Sequence, residues 1–140
     1  YLMKKSILFV LIACWVCISC NNNSEIDRSD PLESGRGFID ASLKGDYVRA
    51  DKYMLKDSVN KDYMEGLKDF NKKLDKIERE NYREANIIID SVIQVSDSVN
   101  IIYFANSYKK EQQQLKVVKE NKEWWVDFKY TFNHNSENTH

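Results

Sequence analysis

The feature that most constrains this chain is a change of apolar period at Asn81. Ahead of it, Tyr63, Leu67, Phe70, Leu74 and Ile77 recur at intervals of four and three, the spacing that lines one side of an α-helix. Beyond it, Ala85, Ile87, Ile89, Ile93 and Val95 lie opposite Asn86, Asp90 and Gln94, the period of a strand with one buried face. Helices first and strands second describe an α+β chain, because a parallel α/β sheet would interleave the two. With 140 residues, the chain suits a single core and excludes a multidomain enzyme.

Local signals divide the helical half. Asp30-Pro31-Leu32-Glu33 combines a capping acid, a proline in the first turn and a glutamate at the capping-box position. Gly45 ends that helix, and Asp46 opens a short second one carrying Tyr47, Val48, Ala50, Tyr53 and Met54. A third begins after Asp57-Ser58 and runs unbroken along the stripe to Ile77. In the second half, Ser96-Asp97-Ser98, Lys109-Lys110-Glu111 and Asn121-Lys122 read as turns, the last as a tight hairpin. Between them Val99, Ile101, Tyr103 and Ala105 face inward on the second strand, and Leu115 and Val117 on the third. On the last strand Trp124, Val126, Phe128, Tyr130 and Phe132 point inward, with Trp125, Asp127, Lys129 and Thr131 outward. Short loops make these four strands an antiparallel meander covered on one face by the helices.

The start of the chain reads as an address. Lys4 and Lys5 follow Met3, and residues 7–18 are almost purely apolar. As a helix that run spans ~18 Å, short of the roughly 30 Å hydrocarbon layer, so a signal peptide fits better than a membrane span. It closes on Cys17-Ile18-Ser19-Cys20, which resembles a bacterial lipobox, with Cys17 where leucine is usual. The resemblance implies that Cys20 becomes the N-terminus and carries acyl chains, and two or three chains anchor a protein stably where one does not. An ordinary secreted protein cut near Ser19 is the alternative. Cleavage before Cys20 discards Cys14 and Cys17, so no internal disulfide or thiolate metal site is left. The expected organisation is a signal peptide over 1–19, a polar tether over 20–30, one domain over 31–132 and a disordered tail over 133–140. Asn21 follows the cysteine in place of the aspartate linked to inner-membrane retention, which favours the outer membrane, facing the periplasm or the exterior.

Two further segments carry a resemblance: Gly45-Asp46-Tyr47 with Ala50 between the first helices, and Lys119-Glu120-Asn121-Lys122-Glu123-Trp124 before the last strand. Their order over 31–132 resembles the nuclear-transport-factor-2-like fold, a curved sheet wrapped round a long helix as a cone. Short Bacteroidota lipoproteins of unknown function share both, with glycine where Lys122 stands. The resemblance implies an open-ended pocket and no particular activity.

Chemistry is sparse. Both histidines, His134 and His140, fall in the tail, and no phosphate loop, nucleophile elbow or EF-hand loop is present, so no catalytic residue, metal or cofactor is assigned. Asp90 and Asp127 read as solvated strand positions. The net charge of −1 argues against nucleic acid, and the basic residues of the third helix alternate with acids. Tyr47, Tyr53, Tyr63, Tyr103, Trp124 and Tyr130 fall on inward faces, where they line a pocket for a small apolar ligand or simply fill the core. Trp125 points outward, either to a partner such as a second copy joined through the sheet or under the tail. Asp-Ser-Val recurs at 57, 90 and 97 and resembles the O-glycosylation acceptor pattern of exported Bacteroidota proteins; Ser58 and Ser98 are the accessible candidates and Ser91 the least accessible. The expected function is a membrane-anchored lipoprotein with a small non-catalytic binding domain. An isomerase or hydrolase would need an acid or base pointing inward beside Tyr47 or Tyr103, and a sheet-mediated dimeric assembly partner is the third class.

Overall fold

A computed structural model describes residues 25–135, with side chains to Asn133; the signal segment, Cys20 and the last five residues lie outside the described residues. The elements run α1 (Pro31–Leu43), α2 (Tyr47–Asp51), α3 (Ser58–Lys73), α4 (Lys76–Glu84), β1 (Ile87–Ser96), β2 (Val99–Asn106), β3 (Gln113–Glu120), β4 (Glu123–Asp127) and α5 (Lys129–Asn135). Helices pack against an open four-stranded antiparallel sheet of order β1-β2-β3-β4, so the α+β layout and the meander stand. Among the described residues no helix is long and apolar enough to cross a membrane.

Caps start the helices where the sequence places them. The Asp30 carboxylate accepts from the N–H groups of Leu32 and Glu33 at 2.8 and 3.1 Å, and Asp46 and Asp57 do the same for α2 and α3. Gly45, at φ +70°, turns the chain out of α1. The third helix is not continuous. Leu74 takes an extended backbone, and Asp75 restarts the chain as α4 through a reciprocal capping box with Glu78. A capping acid competes well with a stripe that offers little burial. Ile77, the last residue of the expected stripe, is 72% exposed on α4.

The strands depart from the expected phase on β1, whose register shifts between Ile89 and Ser91 and again between Gln94 and Ser96, and on β2, and from the expected length on β4. Register passes from Ile89 opposite Phe104 to Ser91 opposite Tyr103, so Asp90 is an extra residue and the strand turns over there. Val92 then shares a face with Ile102, while Ile93 moves to the outer side with Ile101. On β2 the inward set is Asn100, Ile102, Phe104 and Asn106, not Val99, Ile101, Tyr103 and Ala105. Both sets are largely apolar, so alternation cannot choose between them. Packing chooses: Ile102 is fully buried, and a Cβ at Gly35 of α1 would stand 2.3 Å from its Cδ1. β4 ends at Asp127, so Tyr130 and Phe132 belong to a helix, not to the strand. There the Lys129 N–H donates to Asn60 Oδ1 at 2.7 Å and the Thr131 N–H to the Phe128 carbonyl, which bends the chain into α5. That helix continues past residue 132, through part of the segment expected as tail.

Asp127 is buried rather than solvated. Its Oδ1 accepts from Lys129 Nζ at 2.6 Å and from Asn60 Nδ2 at 3.2 Å, and Asn60 also donates to Asp57 at 2.6 Å. This knot fastens the start of α3 to the junction of β4 and α5. Elsewhere the core is apolar, with Met54, Ile102, Leu115, Val117 and Val126 fully buried.

Candidate functional site

Tight packing on the α1 side gives way to a cavity of about 600 Å³ on the other. Its floor is the inner sheet face at Phe104, Leu115 and Gln113, and its walls are the C-terminal half of α1 and the length of α3. Tyr82 of α4 and Phe128, Thr131 and Phe132 around α5 close it further. The volume lies within the range of small-molecule sites, and the lining is mostly apolar with few polar groups, as such sites require.

Of the six aromatic residues expected to line a pocket, the structure brings Tyr47 and Tyr63 to it. Tyr63 stacks on Phe132 with ring centres 4.6 Å apart. Tyr53 and Trp124 are core residues, 4% and 7% exposed. Tyr53 fills the space left by Gly37, where a Cβ would come within 2.2 Å of its ring. Tyr103 faces outward from β2, and Tyr130 lies on α5 under the Lys116 ammonium at 5.7 Å. The remaining lining was legible as a pattern: Leu67, Phe70 and Leu74 are the helical stripe itself. Spacing identifies the apolar side of a helix without saying whether it meets a neighbour or an empty space.

Three hydroxyls at this cavity are buried without a hydrogen-bond partner among the described residues: Ser42 Oγ, Tyr47 Oη and Thr131 Oγ1. Burial pushes the Tyr47 phenol above its ordinary pKa, and Tyr82 shifts the same way chiefly by burial. Both phenols are therefore neutral at physiological pH. The two carboxylates of the lining, Asp62 and Glu111, belong to exposed residues at the rim. Arg49 is occupied by Asp40 and Asp46 on the outside of α1 and α2.

Gly66 marks the entrance. It sits inside α3, where glycine costs about 1 kcal/mol relative to alanine, and no atom lies within 4 Å of where its Cβ would be. Neither a positive φ nor a close approach calls for glycine there. What its bareness does is leave the mouth open. Beside it, Phe70 is 50% exposed and meets Tyr82 edge-on at 6.4 Å, and Tyr82 meets Tyr108 at 5.0 Å. This aromatic ladder links α3, α4 and the β2–β3 turn along one side of the rim.

The other expected sites fall elsewhere. Trp125 is half-buried: the Arg28 guanidinium lies 4.3 Å over its ring while also binding Glu123 and the Lys52 carbonyl. Its outer surface is thus covered by the chain's own leading segment. Ser58, at the first turn of α3, and Ser98, in the β1–β2 turn, are exposed, and so is Ser91, contrary to the expectation that it is the least accessible of the three. Asp90 is exposed at the bulge and accepts from Gln112 Nε2 at 3.1 Å. Among the described residues no cluster of His, Cys, Asp or Glu has the arrangement of a metal site. Comparison with protein families, with curated proteins and with solved structures finds no match to this chain.

Proposed function

We propose that this is a lipid-anchored envelope protein whose domain holds a small apolar ligand in the α1–α3 cavity and performs no chemistry on it. The observation that carries the reading is the cavity itself: about 600 Å³, mostly apolar, with its mouth left open by a glycine that the helix does not need. Neutral phenols and unpartnered hydroxyls suit an uncharged ligand with one polar end, since a buried hydroxyl gains most from a partner that replaces lost water. The carboxylates of the lining, Asp62 and Glu111, are exposed at the rim, while apolar side chains and hydroxyls line the interior, which favours holding over turnover.

The nuclear-transport-factor-2-like cone is part of the same reading. Helices over one face of a four-stranded meander, with a hollow between them, agree with that architecture. Anchoring rests on Cys20 and the apolar run before it, with outer-membrane attachment following from Asn21. Two experiments test the two halves. Native mass spectrometry of the full chain purified from its source should show a noncovalent species that dissociates on mild activation; a bare chain under every gentle condition contradicts ligand holding. For the anchor, Cys20→Ala should move the protein from the detergent phase to the aqueous phase, and unchanged partitioning contradicts lipidation at that residue.

A further inference from the structure

Three carboxamides line the cavity, and two of them meet where β2 passes into β3. Asn106, the last residue of β2, is only 6% exposed and belongs to the cavity wall. Its Oδ1 accepts from the N–H groups of Tyr108 and Lys109 at 3.1 and 2.9 Å, which holds the turn that follows. Those two donors settle which end of the carboxamide is oxygen, so what remains is the Nδ2 amide, a donor only. No described residue accepts from it. Gln113 pairs with Phe104 across the β2–β3 ladder, which sets it diagonally beside Asn106 on the inner face. Its carboxamide bonds to no described residue, and neither does that of Asn71 on the α3 wall. Buried amide hydrogens left unmet are costly, and a partner that meets them gains accordingly.

Charge narrows what that partner can be. Among the described residues no lysine, arginine or histidine lines the cavity. Lys109 stands in the same turn, but its ammonium lies over the Tyr108 ring at 4.9 Å. The ionised groups of the lining are carboxylates, and one of them, Glu111, belongs to the β2–β3 connection next to Gln113. An anionic head would meet Glu111 with no lining cation to offset it. An ammonium would answer Glu111 but leave Asn106 Nδ2 facing another donor. An ester accepts from Asn106 and offers nothing to the carboxylate, and a hydroxyl concentrates donor and acceptor on one oxygen, whereas the wall carries them on separate side chains. We infer, on the premise that the cavity holds a ligand, that this ligand is an uncharged apolar molecule bearing a carboxamide. Its carbonyl accepts from Asn106 Nδ2 and its N–H donates toward Gln113 Oε1 and Glu111. The apolar remainder lies along Leu67, Leu74, Phe104 and Leu115.

Displacement of N-phenyl-1-naphthylamine, an uncharged fluorescent probe without a carbonyl, from the full chain tests the assignment. The competitors are dodecanamide, methyl dodecanoate and dodecanoate at neutral pH, which share one chain and differ in the head. Dodecanamide should displace the probe at a concentration about tenfold lower than either of the others. Asn106→Asp keeps an oxygen for the Tyr108 and Lys109 N–H groups and replaces the free donor by a second oxygen, so it should abolish the preference while the probe still binds. Gln113→Leu leaves that turn untouched and should narrow the preference too, so the test does not depend on how well Asn106→Asp folds. Equal displacement by the three competitors, with the probe bound, overturns the carboxamide assignment and leaves ligand holding in place. So does a preference that survives both substitutions, or a carboxylate that binds best. A chain that takes up no probe contradicts ligand holding itself, and the assignment falls with it.

Discussion

α1 and the α3–α4 arm lie over the same face of the sheet and meet it in opposite ways. α1 is thirteen residues long and buries five of them, Ser34, Gly35, Phe38, Ile39 and Ala41. Two missing side chains let it sink in: a Cβ at Gly35 or Gly37 would overlap Ile102 or Tyr53. α3 buries only Asn60 and Met64, and α4 buries nothing. The arm is fastened at its start by the Asn60 knot and touches the rest of the domain through half-exposed aromatics. One helix therefore serves stability and the other encloses a space. Both use glycine, α1 to bring backbone close and α3 to keep a gap.

If that division holds, the costliest change to the arm lies at its fastening and not along its length. Asn60→Ala removes three side-chain hydrogen bonds at a fully buried site and leaves the Asp127 carboxylate and the Lys129 N–H short of partners. The expected loss is about 3 kcal/mol, read from denaturant unfolding. On α1, Gly37→Ala should cost about 2 kcal/mol by overpacking against Tyr53; a neutral result in the same assay would mean that α1 sits less tightly than described.

Acid acts on the Asn60 knot and on the ion pairs that Asp40 makes with Lys44 and Arg49. The Asp57 carboxyl is held below its ordinary value by the Asn60 N–H, then by the Asn60 side chain and Lys129. Burial works against Asp40, yet Lys44 and Arg49 outweigh it and hold that carboxyl low too. A carboxyl with a depressed folded pKa stabilises the fold above its unfolded pKa and loses that contribution as pH falls through the folded one. Melting temperature should therefore be flat near neutrality and fall below about pH 4. In Asp57→Asn the acid-side fall should be shallower. Lys129, raised chiefly by its hydrogen bond to Asp127, stabilises below its ordinary value and loses the effect only at strongly alkaline pH.

The smallest expected change has the opposite sign. Gly66→Ala adds a methyl group that meets nothing and removes a flexible residue from a helix, so it should stabilise by about 0.5–1 kcal/mol. A thermal melt that shows destabilisation would contradict the open space at Gly66.

Much of the layout was legible in the residues because it is written locally. Asp30, Asp46 and Asp57 cap where short polar side chains reach free N–H groups, and Asn121-Lys122 turns at positive φ between two paired strands. Features set by competition were not legible. The capping box at Asp75 was hidden under a stripe of matching period, and the face of β2 was undecidable where Ile101-Ile102 and Phe104-Ala105 offer apolar residues to both sides. Asp127 read as solvated because nothing local announces that Asn60, far away in sequence, will meet it. The cavity was half legible. Its lining is the stripe that marks α3, but its emptiness depends on how far the arm stands from the sheet, which is a property of the assembled layers.

The central claim is that this emptiness is an accessible binding site. The direct measurement is a fluorescence titration of an anilinonaphthalene sulfonate probe into the full chain, side by side with Gly66→Trp, whose indole would fill the mouth from a position with free space around it. The expected result is saturable binding that Gly66→Trp reduces by at least tenfold, about 1.4 kcal/mol, at an unchanged melting temperature. Equal binding by the two folded chains would contradict the account.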